Sequence, residues 1–258
     1  MIRTKQNYID LYKEFFVTDF KLRYKHSILG ILWVIIKPFS TFTIMYFVWS
    51  SLLQTSEHFA LYLLLGVITV NFFNEAVMFG LQSLYTKTHI ILKINFPREI
   101  VVFSAVTIAT INFLINLGIF FIFAFFNHLA FNLPGLLLAF IGILSLILLV
   151  LAISMVLSIL GVKFHDVRHL VDLLLQLIFW GTPVIYDIKI LPAKMRAIVN
   201  LNPLTHILVS LRGGYLNNPV MSSDLWVHSF EMLLIMLVLV FFCYLFFKSN
   251  IKKIAEYF

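Results

Sequence analysis

The sequence predicts an all-α polytopic membrane protein with six transmembrane helices, an N-terminal amphipathic interface helix, and a short re-entrant helical hairpin between the fifth and sixth helices. Hydrophobic residues make up 61% of the 258 residues and charged residues only 12%, against about 25% charged in an ordinary soluble domain. The apolar residues form runs long enough to cross a bilayer, which takes roughly 20 residues of helix. The alternating period of a membrane β-barrel is absent, so helices are predicted to satisfy the backbone within lipid.

Residues 1–29 are predicted to form a cytoplasmic segment built around an amphipathic helix over residues 5–27. Aromatic and aliphatic residues recur there at helical spacing, from Tyr8 and Leu11 to Phe20, and charged residues fill much of the rest. This pattern is typical of a helix that lies on a membrane surface. A charged stretch of this length ahead of the first span does not have the form of a cleavable signal peptide.

Six apolar runs within residues 30–247 are predicted to form the transmembrane domain. Lys37 and Pro38 interrupt the first run near its start, where a proline bends a helix. A short basic tail, residues 248–258, follows the last run. The predicted spans are 30–53, 59–81, 100–126, 133–160, 169–186 and 226–247.

Lys and Arg are distributed unevenly between the segments that join the spans. The segments on the side of the two termini (1–29, 82–99, 161–168 and 248–258) carry fourteen of them, whereas the opposite side carries four, all within 187–225. Because cytoplasmic segments are enriched in Lys and Arg, both termini are predicted to be cytoplasmic. The net charge of +7 therefore reflects topology and does not indicate a nucleic-acid partner.

Two connecting segments are predicted to have structure of their own. The cytoplasmic coupling loop 82–99 contains a short amphipathic piece, residues 84–93, which is predicted to be a coupling helix. In the outer segment 187–225, one short helix is predicted over 193–201 and a second begins at Asn202-Pro203, because asparagine caps a helix and proline fits its first position. Gly213 and Gly214 are expected to end the second helix. Together the two helices form the predicted re-entrant hairpin and an outer gate.

The signatures of several enzyme classes are missing from the chain. It has no Walker A loop, no G-x-S-x-G and no H-E-x-x-H sequence. No Cys/His spacing indicates a metal site, and the single cysteine, Cys243, lies within an apolar run. No catalytic residue, metal ligand or cofactor site is therefore predicted in this chain.

Five separated motifs extend over nearly the whole chain. They are RYKHSILG at 23–30 with Trp33 and Pro38, FPRE at 96–99, FHD at 164–166, TPVIY at 182–186 with Leu191-Pro192, and NPL at 202–204. In this order they resemble the motifs of ABC-2-type transporter permease subunits, specifically those that export lipid-linked polysaccharides such as O-antigen, teichoic acid or capsule. The chain departs from the family pattern at His165-Asp166, where the family often has Arg-Asp, and the role of His165 is left open.

The resemblance implies a transporter subunit and not an enzyme. It implies that the chain exports an undecaprenyl-linked polysaccharide across the bacterial cytoplasmic (inner) membrane, as a homodimer that surrounds a channel. Two copies of a separate ABC ATPase subunit are expected to bind ATP and Mg²⁺ and to drive export. The expected partners are therefore this ATPase, the lipid-linked polysaccharide and membrane lipids, with no nucleic acid.

Three groups of residues are assigned from residue chemistry and from this resemblance. Basic residues at the membrane surface suit the pyrophosphate of the lipid carrier, and the alternative is that they only set the topology. The other two groups are predicted to couple the ATPase and to form the outer gate. The groups are Lys21, Arg23 and Lys25 for the pyrophosphate; Tyr12, Glu14, Lys87, His89 and Lys93 for ATPase coupling; and Pro183, Tyr186, Pro192, Asn202 and Pro203 for the outer gate.

Glu75, in the second predicted span, is expected to face the interior of the bundle because a carboxylate is costly in lipid. Asn71, Asn74 or a neighbouring helix is its expected partner. Lys37 is expected to reach the membrane surface, and a Lys37–Glu75 pair is left open.

Two other functions remain open. One is an ABC-2 exporter of a drug or lipid, which shares the fold. The other is a membrane-embedded glycosyltransferase or acyltransferase, for which Asp166 with His165 or His169 is the only candidate pair.

Overall fold

The computed structural model of the protein describes residues 5–25, 27–51, 58–94, 96–164, 166–216 and 223–256. No β-strand occurs among these residues, so the all-α prediction is confirmed. The helices are α1 (Lys5–Tyr24), α2 (Trp33–Trp49), α3 (Phe59–Thr86), α4 (Thr88–Lys93), α5 (Glu99–Phe126), α6 (Leu133–Lys163), α7 (Val167–Gly181), α8 (Ala193–Asn200), α9 (Pro203–Tyr215) and α10 (Ser223–Asn250), with 3-10 segments at Gly30–Leu32, Ile188–Ile190 and Ile251–Glu256.

Five of the described helices are long and apolar enough to cross a membrane: α2 with the 3-10 turn before it, α3, α5, α6 and α10. α7 lies at the position of the fifth predicted span but has only 15 residues. It is therefore about 22 Å long, which is shorter than the ~30 Å hydrocarbon core. The six-span count stays a prediction, and the predicted end of the first span, at residue 53, lies outside the described residues.

α3 is the most buried of the long apolar helices that the structure describes, and α5 and α6 both pack against it. Nearly every residue from 61 to 70 is buried. A helix that is apolar on all sides belongs in such a position. Few residues of α2 and α10 are buried, so many of their apolar side chains are available to lipid or to another protein chain.

Small residues allow the central helices to approach each other closely, which is a common packing mode in membranes. At Gly80 of α3, an added Cβ would collide with Ser154 of α6. At Gly214 of α9, a Cβ would lie 2.5 Å from the carbonyl oxygen of Gly135 in α6. The α3–α6 and α6–α9 contacts therefore depend on the absence of a side chain at these positions.

The start of α9 is as predicted, but its predicted end is wrong. Asn202 Oδ1 accepts a hydrogen bond from the Leu204 amide at 3.0 Å, and Pro203 is the first helical residue. The helix does not stop at Gly213 and Gly214 and continues to Tyr215. Close packing on α6, and not chain termination, accounts for the glycine at 214.

The two ends of the bundle carry different elements. We call the end with α1, α4, the α6–α7 junction and the 3-10 segment Ile251–Glu256 the basic end, and the end with α8 and α9 the opposite end. At the basic end, Phe15, Phe96 and Ile251 belong to one buried apolar cluster. The N-terminal helix and the C-terminal segment therefore lie together, which is the arrangement that an even number of crossings produces. The predicted coupling piece 84–93 is divided there, since α3 extends to Thr86 and only α4 is a separate short helix.

Candidate functional site

A cavity of about 620 Å³ lies toward the basic end, bounded by α1, α2, α3 and α5. Its volume is within the range of small-molecule sites, about 300–1,000 Å³. Charged, polar and apolar side chains all contribute to its wall. The lining residues are Arg23, Tyr24, Ser27, Lys37, Asn71, Asn74, Glu75 and Asn116, together with Gly30, Trp33, Val34, Pro38, Ile68, Phe72, Met78, Phe79 and Phe113.

Glu75 provides the carboxylate of this cavity, and its partner comes from a neighbouring helix, which is one of the predicted alternatives. Asn112 Nδ2 of α5 donates to Glu75 Oε1 at 2.7 Å. The Tyr24 hydroxyl of α1 donates to Asn112 Oδ1 at 2.9 Å. Asn116, one turn further along α5, donates from Nδ2 to the Val34 carbonyl of α2 at 3.1 Å. The two α5 amides, which donate to α3 and α2 and accept from α1, thus join these four helices around the cavity.

Two cations line the same cavity. The Arg23 guanidinium lies over the Phe79 ring, 3.3 Å from its centroid, in a cation–π contact. Lys37 lines the cavity from α2, and the charges of both residues act on Glu75. Neither cation has a carboxylate oxygen within 4.0 Å in the described ranges, so Lys37 and Glu75 do not form a direct ion pair. Desolvation lowers the pKa of Arg23, and the charge of Glu75 opposes that change.

The predicted pyrophosphate group is divided by the structure. All three side chains are exposed, but only Arg23 lines the cavity, and Lys21 and Lys25 do not. Residues two apart on a helix point in different directions, so closeness along the chain does not bring these three charges together. The second cation of the cavity is instead Lys37, from the next helix.

Two of the predicted coupling residues, Lys87 and Tyr12, make contacts with other helices of the same chain. Lys87, at the junction of α3 and α4, forms an ion pair with Asp19 of α1, and its ammonium lies 5.5 Å from the centroid of the Phe15 ring. The Tyr12 hydroxyl shares a 2.6 Å hydrogen bond with Thr107 Oγ1 of α5. These contacts fix α1 against the basic end of the bundle.

The other three coupling residues, Glu14 of α1 and His89 and Lys93 of α4, are exposed. We call them the coupling surface. They lie at the basic end and are available to a partner.

At the opposite end, Arg212 of α9 holds the turn formed by residues 182–186. Its guanidinium donates to the carbonyl oxygens of Pro183, Val184 and Tyr62 and lies 3.3 Å from the centroid of the Tyr62 ring. Arg212 is only 5% exposed, and no carboxylate of the described residues lies within 4.0 Å of it. Three carbonyl dipoles therefore take the place of a counterion.

Four of the predicted gate residues belong to this turn or to the start of α9 beside it, whereas Pro192 lies further along the chain, and the five differ in burial. Asn202 links the turn to α9, since its Nδ2 donates to Thr182 Oγ1 at 2.9 Å. The Tyr186 carbonyl accepts from the Tyr62 hydroxyl at 3.0 Å, which links the turn to α3. Pro183 is buried, Pro203 is half-buried and Pro192 is exposed.

Three residues that organise these sites are absent from the predicted set: Asn112, Asn116 and Arg212. The sequence carried a signal for the two asparagines, because they are four residues apart in a predicted span and amides on one helix face seldom point to lipid. Arg212 directly follows Leu211, which belongs to the apolar face of α9, and a buried arginine there requires several acceptors. Only the fold, however, reveals which carbonyls these are.

The residues considered for a membrane enzyme give no support to that alternative. Asp166 and His169 are both exposed, and the Asp166 side chain makes no capping hydrogen bond to α7. His165 lies outside the described residues. Within the described part of the chain, no three His, Cys, Asp or Glu side chains are grouped so that they could hold a metal ion.

Comparison with known proteins identifies the family of the chain. The family model described as "ABC-2 type transporter" matches residues 11–216. Two proteins of Klebsiella pneumoniae, both called O-antigen export system permease protein RfbA, are 28% identical over 203 and 200 residues, covering 77% of this chain and 77% of each relative. A Myxococcus xanthus protein of the same name is 22% identical over 213 residues, covering 81% of this chain and 82% of the relative. The family match extends from within α1 to the end of α9 and includes the cavity, and the chain belongs to the ABC-2 type transporter family.

Proposed function

We propose that this chain is the permease subunit of an ABC exporter that carries an undecaprenyl-linked polysaccharide across the bacterial cytoplasmic membrane. ATP hydrolysis on a separate ATPase subunit drives the export. Family membership supports the transporter role, and similarity to O-antigen export permeases supports a polysaccharide cargo. In this proposal the basic end faces the cytoplasm, as the distribution of Lys and Arg predicts.

The observation that carries the proposal is the attachment of α1 to the bundle. α1 is a surface helix, yet side-chain bonds fix it to α5 through Tyr12 and Tyr24 and to the α3–α4 junction through Asp19. A force applied to α1 from outside the membrane is therefore passed to the spanning helices. An exporter whose sequence contains no Walker A loop needs such an element to receive work from a partner.

The coupling surface, formed by Glu14, His89 and Lys93, is the proposed contact for the ATPase. Its mixture of acidic and basic groups suits a contact whose specificity is set by charge complementarity. Tyr12 and Lys87 have a different role in this proposal. Tyr12 attaches α1 to α5 and Lys87 attaches α1 to the α3–α4 junction, so that these elements respond as one unit when the ATPase moves.

We assign two copies of the chain to each exporter, with a channel between them. α7 exposes Leu173 and Leu177 together with the polar side chains of Asp172 and Gln176. Polar side chains on a membrane helix belong next to protein or water and not next to lipid. A second copy placed across α7 provides both protein contact and water. It packs on the leucines, and it encloses a watery path beside the polar residues.

The segment 187–225 is the proposed outer gate, with the five predicted gate residues at its base. Its attachment to the turn 182–186 through Asn202 supports this assignment, because the turn ends the helix that would line the channel. Residues 217–222 of the segment lie outside the described residues.

The proposed function is tested by purifying the chain with the ABC ATPase from the same gene cluster and measuring ATP hydrolysis in nanodiscs. We expect hydrolysis by the complex to increase when lipid-linked polysaccharide is added. Deletion of the permease gene is expected to leave the finished glycan on the cytoplasmic face. A complex that is stimulated by a drug or a phospholipid, and not by the glycan lipid, would favour the second candidate, an exporter of small molecules or lipids.

A further inference from the structure

We propose that the cavity at the basic end holds the phosphate-bearing head group of the lipid carrier, with Arg23 and Lys37 as the binding cations and Glu75 as an internal counter-anion. The identity of the lipid as an undecaprenyl diphosphate rests on the proposed function. The assignment of the cavity rests on its own charges, contacts and shape. It replaces the expected trio of Lys21, Arg23 and Lys25.

The first argument is the availability of the two cations. Arg23 is oriented by the Phe79 ring, and Arg23 and Lys37 both line the cavity without a carboxylate oxygen within 4.0 Å in the described ranges. A guanidinium binds phosphate oxygens through paired N–H groups, and an ammonium binds them as a point charge. A diphosphate carries enough negative charge to engage both cations at once.

The second argument concerns Glu75, which lines the same cavity as both cations. One carboxylate oxygen accepts the hydrogen bond from Asn112, which keeps Glu75 in the wall of the cavity. In the absence of a ligand, this carboxylate partly compensates Arg23 and Lys37 and lowers the cost of holding two cations near lipid. An anionic head group then has to compete with Glu75, so the carboxylate is expected to weaken binding and favour release.

The third argument is the order of polar and apolar groups along the cavity. Phe79, beside Arg23, and Ile68 are eleven residues apart on α3, a distance of about 16 Å along the helix. The cations lie toward the basic end of this length, and Ile68, Phe72 and Phe113 line its deeper part. A head group followed by hydrocarbon matches this order. A volume of about 620 Å³ accommodates the head group and its nearest units, whereas the glycan chain has to pass elsewhere.

The binding test uses the permease–ATPase complex in nanodiscs and two separate probes, undecaprenyl pyrophosphate and phosphatidylglycerol. Arg23→Gln/Lys37→Gln removes the two cavity cations. Lys21→Gln/Lys25→Gln removes two charges of the same region that lie outside the cavity. We expect the first pair to weaken undecaprenyl pyrophosphate binding by about tenfold or more and the second by less than about twofold. Co-purification of the ATPase and the thermal unfolding curve check that each variant is folded.

Glu75→Gln provides the sharpest comparison. A glutamine oxygen still accepts the hydrogen bond from Asn112, while the negative charge is lost, so undecaprenyl pyrophosphate is expected to bind several-fold more tightly. A purely structural cavity would make all its variants weaker. The assignment is overturned if Arg23→Gln/Lys37→Gln binds as tightly as wild type, if Lys21→Gln/Lys25→Gln loses as much, or if Glu75→Gln binds more weakly.

The site and the proposed function can fail separately. If the complex does not export glycan but undecaprenyl pyrophosphate binding still depends on Arg23 and Lys37, the binding site is supported and the proposed function is contradicted. If export is normal and binding is independent of both residues, the binding site is contradicted and the proposed function is supported. Equal affinity for phosphatidylglycerol, with the same dependence on both residues, would overturn the diphosphate assignment and show a general phosphate site.

Discussion

Arg212 places a positive charge inside the bundle. Backbone carbonyls accept its hydrogen bonds, and no carboxylate of the described residues lies within 4.0 Å of it. It donates to the carbonyl oxygens of Pro183, Val184 and Tyr62. A hydrogen bond to a charged group contributes about 1.5–3 kcal/mol to stability. Because the acceptors come from a turn and from the start of α3, one side chain fixes the relative position of three segments.

We predict that Arg212→Ala lowers the free energy of unfolding by about 3–5 kcal/mol, since three carbonyls lose their donor and a buried volume is emptied. Arg212→Lys is expected to fall between this variant and wild type, because an ammonium lacks the planar fork of a guanidinium. Denaturation of the purified protein in detergent measures both changes.

The matched control for this prediction is Arg196→Ala. Arg196 also donates to two carbonyls, of Lys189 and Leu191, but it is exposed, so its loss is expected to cost less than about 1 kcal/mol. If the two arginine-to-alanine variants are destabilised equally, the buried carbonyl site has no special role.

Glu75 illustrates how far single residues can be interpreted from the sequence. The cost of a carboxylate in lipid predicts an interior partner, and Asn112 is such a partner. Its identity depends on the rotation of α5 relative to α3, which the pattern of either helix alone does not contain. For the same reason, the sequence predicts that Arg23 is a binding residue but does not identify the second cation of its cavity. That cation is Lys37, whereas Lys21 does not line the cavity.

Among the elements, α1 and the α3–α4 junction are joined by the ion pair of Asp19 and Lys87. The two side chains are 23% and 13% exposed, so salt screens this pair less than a fully exposed one. Asp19→Lys or Lys87→Asp alone brings like charges together. We predict that each single variant exports less glycan per ATP hydrolysed and that Asp19→Lys/Lys87→Asp recovers most of the ratio.

Transport and ATP hydrolysis in proteoliposomes, arranged as a double-mutant cycle, measure this coupling. Lys93→Asp is the comparison variant, because it changes an exposed residue of the coupling surface. It is expected to reduce ATPase binding, and Asp19→Lys is not expected to rescue it. A double reversal that behaves like the sum of its singles would show that the pair does not couple α1 to α4.

The α6–α9 contact gives a prediction about stability. Gly214→Ala would place a Cβ 2.5 Å from the Gly135 carbonyl, and overpacking of this kind costs about 1–3 kcal/mol. Gly118→Ala is the control: no atom lies within 4 Å of its added Cβ, and alanine is favoured over glycine within a helix by about 1 kcal/mol. Thermal unfolding is therefore expected to shift down for the first variant and not for the second, and equal shifts would contradict the close approach.

Helix starts and helix ends differ in how well the sequence predicts them. The start of α9 depends on two adjacent residues, Asn202 and Pro203, and the local signal is sufficient. Its end depends on packing against α6, so the paired glycines do not terminate the helix as the local pattern predicts. The fifth predicted span is shorter than expected for a local reason, since Pro183 does not continue a helix and α7 ends at Gly181.

For the whole molecule, the proposed homodimer predicts that the exposed face of α7 lies close to its copy. In a Cys243→Ser background, Leu177→Cys is expected to form a cross-linked product of twice the 29.9 kDa chain mass within the permease–ATPase complex. Leu234→Cys on α10 is the control, because its side chain is equally exposed but belongs to a helix outside the proposed α7 contact. Cross-linking at residue 234 and not at residue 177 would place the interface on α10.

Composition and charge predict the class of the molecule because they are properties of the whole chain. The lipid environment requires helices, and the excess of Lys and Arg on one side predicts that both ends of the chain lie together. The cavity, in contrast, is made from four helices that are separated along the sequence. Its existence depends on the packing angles of these helices. The sequence alone therefore indicates only individual polar residues of its wall, such as Glu75.

The hydrogen bonds of Arg212 also determine which parts can move when the exporter opens. Separating the turn 182–186 from α9 would break several buried bonds at once, so we expect the turn, α9 and the start of α3 to move as one rigid body. The segment between Tyr186 and Asn202 is different: α8 packs chiefly on α9 and on the 3-10 segment Ile188–Ile190, and most of its side chains are exposed. Within the proposed outer gate, we therefore expect this short segment to be the part that moves, with its hinges at Tyr186 and Asn202.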